Sequence, residues 1–262
     1  MAAKAGERLI RSTMELGGKT PIIVCEDADL KGAVAGTLFA AFVASGQTCV
    51  SGARFIVHAS IYDHFSDALA ARADAIKIGD PMADSTQMGP VISKASQDRC
   101  ARIIATAKAE GAVQISGLSP PDLETPFDKG FYVRPTVFKD VKPDHELFLK
   151  EVFGPVISLT PYQNEEEALD LANIGTFGLG LSIWSRDIAR AHRLSMGVRS
   201  GVIWLNDHHR NDPRSVWGGV RDSGFGKENG WDALKSYMTK KSVIVRTAPG
   251  HDDWFAGSAR YG

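Results

Sequence analysis

Cysteine is scarce in this chain of 262 residues: Cys25, Cys49 and Cys100 are the only three. They are widely spaced, form no C-x-x-C pair and leave one unmatched. That argues against a disulfide framework or a zinc site and suits a reducing cytoplasm. Excess charge is also lacking. The 30 Lys and Arg face 31 Asp and Glu, and a net charge of −1 offers nothing to nucleic acid or an anionic membrane surface. No apolar run approaches the ~20 residues that cross a bilayer. The polar, helix-like start, Met1 to Arg8, is unlike a secretory signal. Internal repeats and low-complexity tracts are absent. What remains, 44% hydrophobic and 23% charged, is an ordinary globular composition, long enough for one large domain or two small ones.

The chain alternates between two periodicities. Apolar, β-rich runs at Pro21–Cys25, Arg54–His58, Ala112–Ser116, Phe131–Phe138, Gly154–Tyr162, Leu179–Trp184, Val202–Asn206 and Val243–Arg246 read as strands or extended segments. Between many of them lie helical patterns. Ala33–Ala44 is a small-residue apolar helix, and Tyr62–Ile76 an amphipathic one. In Ser93–Gly111, Cys100, Ile103, Ile104 and Ala107 share a face and Gly111 is a natural stop, so Cys100 belongs to the core. Asn164 with Glu167 forms a capping box, and Asp187–Met196 ends at Gly197. Strands alternating with helices imply crossover connections, hence an α/β fold with a mostly parallel, helix-covered sheet.

One stretch carries a chemical possibility. Glu15-Leu16-Gly17-Gly18-Lys19 precedes the first apolar strand, and Gly46-Gln47-Thr48-Cys49 follows the helix after it. Such a unit can bring a carboxylate and a thiol into one pocket. A thiolate near a helix terminus or backbone N–H groups is a nucleophile toward carbonyls, and a carboxylate in a partly apolar site can activate water to release the adduct. Residue types alone favour the blander reading, with Cys49 a buried small hydrophobe and Glu15 a solvated charge.

Other patterns are discounted. Gly17-Gly18-Lys19-Thr20 lacks the upstream glycine of a phosphate-binding loop, whose place Thr13 holds, and Gly224-Phe225-Gly226 has the wrong spacing for a dinucleotide fingerprint. His208 and His209 are adjacent, so on an extended chain they point apart. A solvated or substrate-facing loop is expected there, and no metal.

The ordered set Glu15–Lys19, Gly46–Cys49, Met88-Gly89-Pro90-Val91-Ile92, Arg134-Pro135-Thr136-Val137, Glu151-Val152-Phe153-Gly154-Pro155-Val156, Gly201–Asn206, Gly218-Gly219 and Ser223–Glu228 resembles the aldehyde dehydrogenase superfamily over nearly the whole chain. The resemblance implies that Cys49 is the nucleophile and Glu15 the base. It implies that Glu151 and Phe153 contact the nicotinamide ribose and ring of NAD or NADP. It places Asn206 and Trp217, which bound one loop, near a substrate channel for a small aldehyde. It further implies the catalytic part of such an enzyme, excised or naturally short, without most of the cofactor-binding half and without the family's upstream oxyanion asparagine. The expected organisation is a remnant of the cofactor-binding domain over 1–19, a catalytic domain over 20–236, and a C-terminal oligomerisation strand and tail over 237–262. Homo-oligomers in the cytoplasm are expected, with no nucleic-acid or membrane partner and possibly no cofactor bound by this chain by itself.

Three activities stay open on the sequence. They are NAD(P)-dependent aldehyde oxidation, cofactor-free thioester or ester hydrolysis by Cys49 and Glu15, and a non-catalytic role.

Overall fold

A computed structural model describes residues 1–250. In chain order its elements are α1 (Ala2–Glu7), β1 (Met14–Glu15), β2 (Thr20–Val24), α2 (Leu30–Phe42), β3 (Gly52–His58), α3 (Tyr62–Asp74), α4 (Lys94–Ala109) and β4 (Val113–Gln114). Then follow β5 (Thr136–Lys139), α5 (Glu146–Leu149), β6 (Val156–Tyr162), α6 (Glu165–Asn173), β7 (Gly180–Trp184), α7 (Ile188–Gly197), β8 (Val202–Leu205), β9 (Gly224–Phe225) and α8 (Gly230–Ser236).

All five residues of β2 are buried, as a continuous apolar strand in a sheet covered on both faces should be. It sits inside a seven-stranded sheet of order β4-β5-β6-β3-β2-β7-β8. Every neighbouring pair is parallel except β4 with β5. One apolar layer joins Ile23, Ile56, Leu181 and Ile183 to Cys100, Ile103, Phe148 and Leu194. The opposite layer joins Ile22, Val24, Phe55 and Val57 to Val34, Phe42, Phe65 and Leu69. Cys100, fully buried in the first layer, is core as expected.

Local signals set the helix starts. Asn164 Oδ1 accepts the Glu167 N–H at 3.0 Å, while Glu167 reaches back to the Gln163 N–H at 2.7 Å. Asp187 caps α7 through the N–H groups of Ala189 and Arg190. The helix then runs through Gly197, one residue beyond the expected end.

Of 131–138, only Thr136–Phe138 belongs to a paired strand. A clearer correction concerns 243–246. No strand forms there, and Val243, Ile244 and Val245 are 78%, 94% and 72% exposed. A strand needs a neighbour to take its backbone hydrogen bonds, and among the described residues no strand pairs with this segment. Residues 251–262 of the expected tail lie outside the described residues.

Candidate active site

Parallel neighbours start at the same edge of a sheet. The segment 15–19 enters β2, 46–51 enters β3, and 151–155 enters β6, and these three strands are adjacent. Glu15, Cys49 and Glu151 therefore converge at the amino-terminal edge. Open α/β sheets more commonly bind ligands beyond the carboxyl ends of their strands.

Glu15 is placed by a short antiparallel pairing, Glu15 opposite Gly224, which ties the first residues to the Ser223–Glu228 motif. Its two carboxylate oxygens are buried and have no hydrogen-bond partner among the described residues. Burial, reinforced by the nearby charge of Glu228, pushes its pKa up against the opposing pull of Lys227. The Trp217 indole lies close enough to favour the charged form without reaching hydrogen-bond geometry. Such a carboxylate holds a proton more readily than an ordinary glutamate, which suits a base near neutral pH.

The approach to Cys49 is unusual backbone. After α2 the chain passes through Ala44, Ser45 and Gly46 at φ of 51°, 58° and 69°. Two non-glycine residues in that left-handed region store strain and need outside support. The Met88–Ile92 motif supplies it: Ser45 Oγ donates to Gly89 O at 2.9 Å, and Gln47 Oε1 accepts the Ile92 N–H at 2.8 Å. Cys49 itself is half-buried, packed with Trp217 and Val202 against Val50, Leu179 and Trp204.

At this thiol burial outweighs the backbone N–H groups that favour the thiolate. Burial pushes its pKa up, the N–H groups of Val50 and Cys49 oppose this, and the carboxylates of Glu15 and Glu151 add to the rise. Ionising Cys49 is thus favoured when its proton passes to a neighbouring carboxylate.

Glu151 faces the same segment. Its Oε1 accepts the Gly18 N–H at 2.8 Å, and Oε2 lies where a Gly17 side chain would stand, 2.5 Å from that Cβ position. Desolvation raises its pKa, partly offset by the Gly18 N–H, Lys19 and Arg99. Phe153, at φ 52° and 37% exposed, lies two residues on. A carboxylate at this edge and a partly exposed ring two residues on are groups that could hold the nicotinamide-ribose end of NAD(P). The residues that would hold the rest of that cofactor are not among those described.

The expectations for the 206–217 loop divide. Trp217 lies at the site, touching the cluster that holds Cys49. Asn206 does not: Oδ1 accepts the Ser185 N–H at 2.9 Å and Nδ2 donates to Ser185 O at 2.8 Å, a clasp on the end of β7. The solvated-loop reading also fails for His208. It is 4% exposed, with Nδ1 2.5 Å from Ser182 Oγ and Nε2 2.7 Å from Val50 O. Its neighbour His209 packs edge-on against Phe39 at 5.5 Å. No group of three or more potential metal ligands occurs among the described residues.

Lys19 was not singled out by the sequence. It is 2% exposed, its Nζ has no hydrogen-bond partner among the described residues, and burial beside Arg54 pushes its pKa down to about 7. Only the tertiary position of Arg54, which donates to Lys19 O, Ile174 O and Ala172 O, reveals that environment.

A sequence model described as the aldehyde dehydrogenase family matches residues 1–243. The betaine aldehyde dehydrogenase of Brucella anthropi is 41% identical over 243 residues, 93% of this chain and 50% of that protein. That of Brucella melitensis gives the same figures. The chain spans about half the length of the curated relatives it matches. Among solved structures, Staphylococcus aureus betaine aldehyde dehydrogenase in complex with NAD+ superposes with a TM-score of 0.93 at 35% identity, covering 98% of this chain and 51% of that one. The NAD+ complex of Bacillus cereus aldehyde dehydrogenase gives 0.89 at 36%, covering 94% and 49%.

Proposed function

Since this chain belongs to the aldehyde dehydrogenase family, we propose that it carries the catalytic half of an NAD(P)-dependent oxidation of an aldehyde to a carboxylic acid. The observation that supports this best is geometric: the segment carrying Glu15 and the turn carrying Cys49 enter the adjacent strands β2 and β3 at one sheet edge, with Gly18 packed directly against the Cys49 carbonyl. The thiol gives its proton to a carboxylate, and the thiolate adds to the aldehyde carbon. Backbone N–H at Cys49 would donate to the resulting oxyanion. Glu151 and Phe153 would hold the nicotinamide end of the cofactor, and the chemistry a bound NAD(P)+ supplies is acceptance of the hydride. With the hydride removed, the Cys49 adduct would be a thioester. Glu15 then takes a proton from water, the hydroxide adds to the thioester carbon, and the Cys49 thiolate leaves.

Betaine aldehyde is the first substrate to test. The relatives' names suggest it, and Trp217 and the half-exposed Phe39 are rings of the kind that accept a quaternary ammonium. We read residues 20–236 as the catalytic body, 1–19 as part of the cofactor-binding domain, and Tyr237–Arg246 as the segment used in self-association in the cytoplasm. Exposure of Tyr237, Val243 and Ile244 supports that last reading.

The test is NADH formation from betaine aldehyde by this chain by itself, and by this chain co-expressed with the amino-terminal half of the Brucella anthropi relative. Turnover is expected only from the complemented pair and is abolished by Cys49→Ala. Equal turnover by the Cys49→Ala pair would overturn the proposal.

A further inference from the structure

We infer that His208 is a positioning residue for the nucleophile: by clamping the Val50 carbonyl it fixes the backbone that presents Cys49. This rests on the reading of Cys49 as the nucleophile. The buried ring bridges the segment entering β3 and the middle of β7, with Nε2 2.7 Å from Val50 O and Nδ1 2.5 Å from Ser182 Oγ.

The partners assign the protons. A carbonyl oxygen only accepts, so Nε2 carries hydrogen. In the neutral ring Nδ1 is then the acceptor, and the Ser182 hydroxyl donates to it. In the charged ring the sense of that second bond reverses, and the Ser182 hydroxyl turns to Asp207 O, 2.9 Å away. Both forms keep the bond to Val50. Burial favours the neutral form, with His209 adding to it and Asp207 opposing it. The clamp therefore persists through the ring's own titration.

Val50 matters because it directly follows Cys49, so holding its carbonyl fixes the peptide plane next to the one that presents the thiol; the N–H groups of both residues also act to favour the thiolate. The turn is closed on its far side by Ser51 N–H to Thr48 O at 3.0 Å and Ser51 Oγ to Ala41 O at 3.3 Å. His208 holds the side nearest the loop that carries Trp217. The Trp204 ring, 4.7 Å from the His208 ring, and the His209 ring, 4.6 Å away, keep the imidazole in place. Glu15 and Glu151 are the carboxylates that act on the same thiol.

The measurement is the pH dependence of iodoacetamide alkylation of Cys49 in the full chain, followed by peptide mass spectrometry. The fully buried Cys25 and Cys100 serve as slow references. In His208→Phe, which keeps a ring but lacks the donor, the Cys49 midpoint should move up by about one pH unit, the scale of a lost hydrogen bond to a charged group. The rate at neutral pH should then fall about three- to tenfold, since a more basic thiolate is also the better nucleophile. In His208→Gln, whose amide can still donate to Val50 O, the midpoint should stay at the wild-type value. An unmoved midpoint in His208→Phe, or an equal shift in both variants, overturns the inference. Should the phenylalanine variant lose its cooperative melt, His208→Leu, which also lacks the donor to Val50 O, carries the test. An upward shift there supports the clamp, and no shift refutes it. A wild-type Cys49 no faster than Cys100 would instead remove the nucleophile reading itself.

Discussion

Gly18 stands so close to Cys49 that a methyl group on its α-carbon would lie 2.4 Å from the Cys49 carbonyl oxygen. That oxygen is backbone, so it cannot swing away like a side-chain end. The strand-entry segment that carries Glu15 and the turn that carries the thiol are therefore packed at the limit of approach.

Gly18→Ala should push the Cys49 turn out of place. An overpacked site of this kind costs about 1–3 kcal/mol, visible as a lower melting temperature. Cys49 alkylation should slow at the same time. A variant with wild-type melting and wild-type alkylation would show that the turn adjusts freely.

Glu15 sets a conflict between stability and chemistry. Its folded-state pKa is raised, so the native state binds the proton more tightly than the unfolded chain does. The stability this proton confers is therefore lost as pH rises through the raised pKa. Glu15→Gln should melt above the wild type at neutral pH, and the difference should vanish at pH values below the ordinary glutamate range. Thermal melts across that range check the sign, and the same variant should lose any hydrolytic turnover.

Lys19 titrates in the opposite sense. Its folded-state pKa is pushed down to about 7 from 10.5, so the unfolded chain binds the extra proton between those values. The wild type should accordingly gain stability as pH rises from about 7 toward 10. Lys19→Met should lack that gain and be more stable at pH 7 by several kcal/mol, because an unpartnered buried ammonium is removed. Parallel melts of the two proteins over this range decide it; identical slopes would refute the burial argument.

Hydrolysis needs only a nucleophile and a base, and the structure brings Cys49 and Glu15 together without the hydride acceptor. A p-nitrophenyl ester should be cleaved slowly by this chain on its own, with the rate lost in Cys49→Ala. In Glu15→Gln, release of nitrophenol should stall after a single equivalent, as acyl-enzyme accumulates. Steady turnover by that variant would assign deacylation to another group.

How far the sequence reached differs by residue. The helix boundaries at Asn164 and Asp187 were readable because capping is a local interaction. Trp217 was placed from a motif, and the structure packs it against the same Val50, Leu179 and Trp204 cluster as Cys49. Asn206 and His208 were misjudged because a polar side chain in a loop looks the same whether it meets water or a partner such as Ser185 or Val50. The apolar run Val243–Val245 reads as a strand, yet strand formation depends on a partner edge that no local pattern encodes.

By itself the sequence determined the alternation of strands and helices and the burial of β2 and Cys100. Periodicity and short-range capping specify these within a few tens of residues. The tertiary structure alone decided that β6 lies against β3, which carries Glu151 across more than a hundred residues to Gly18, and that the loop after β8 folds back to seat His208 on Val50. Strand order and loop return are set by which distant apolar faces pack together, and that is a property of the assembled sheet.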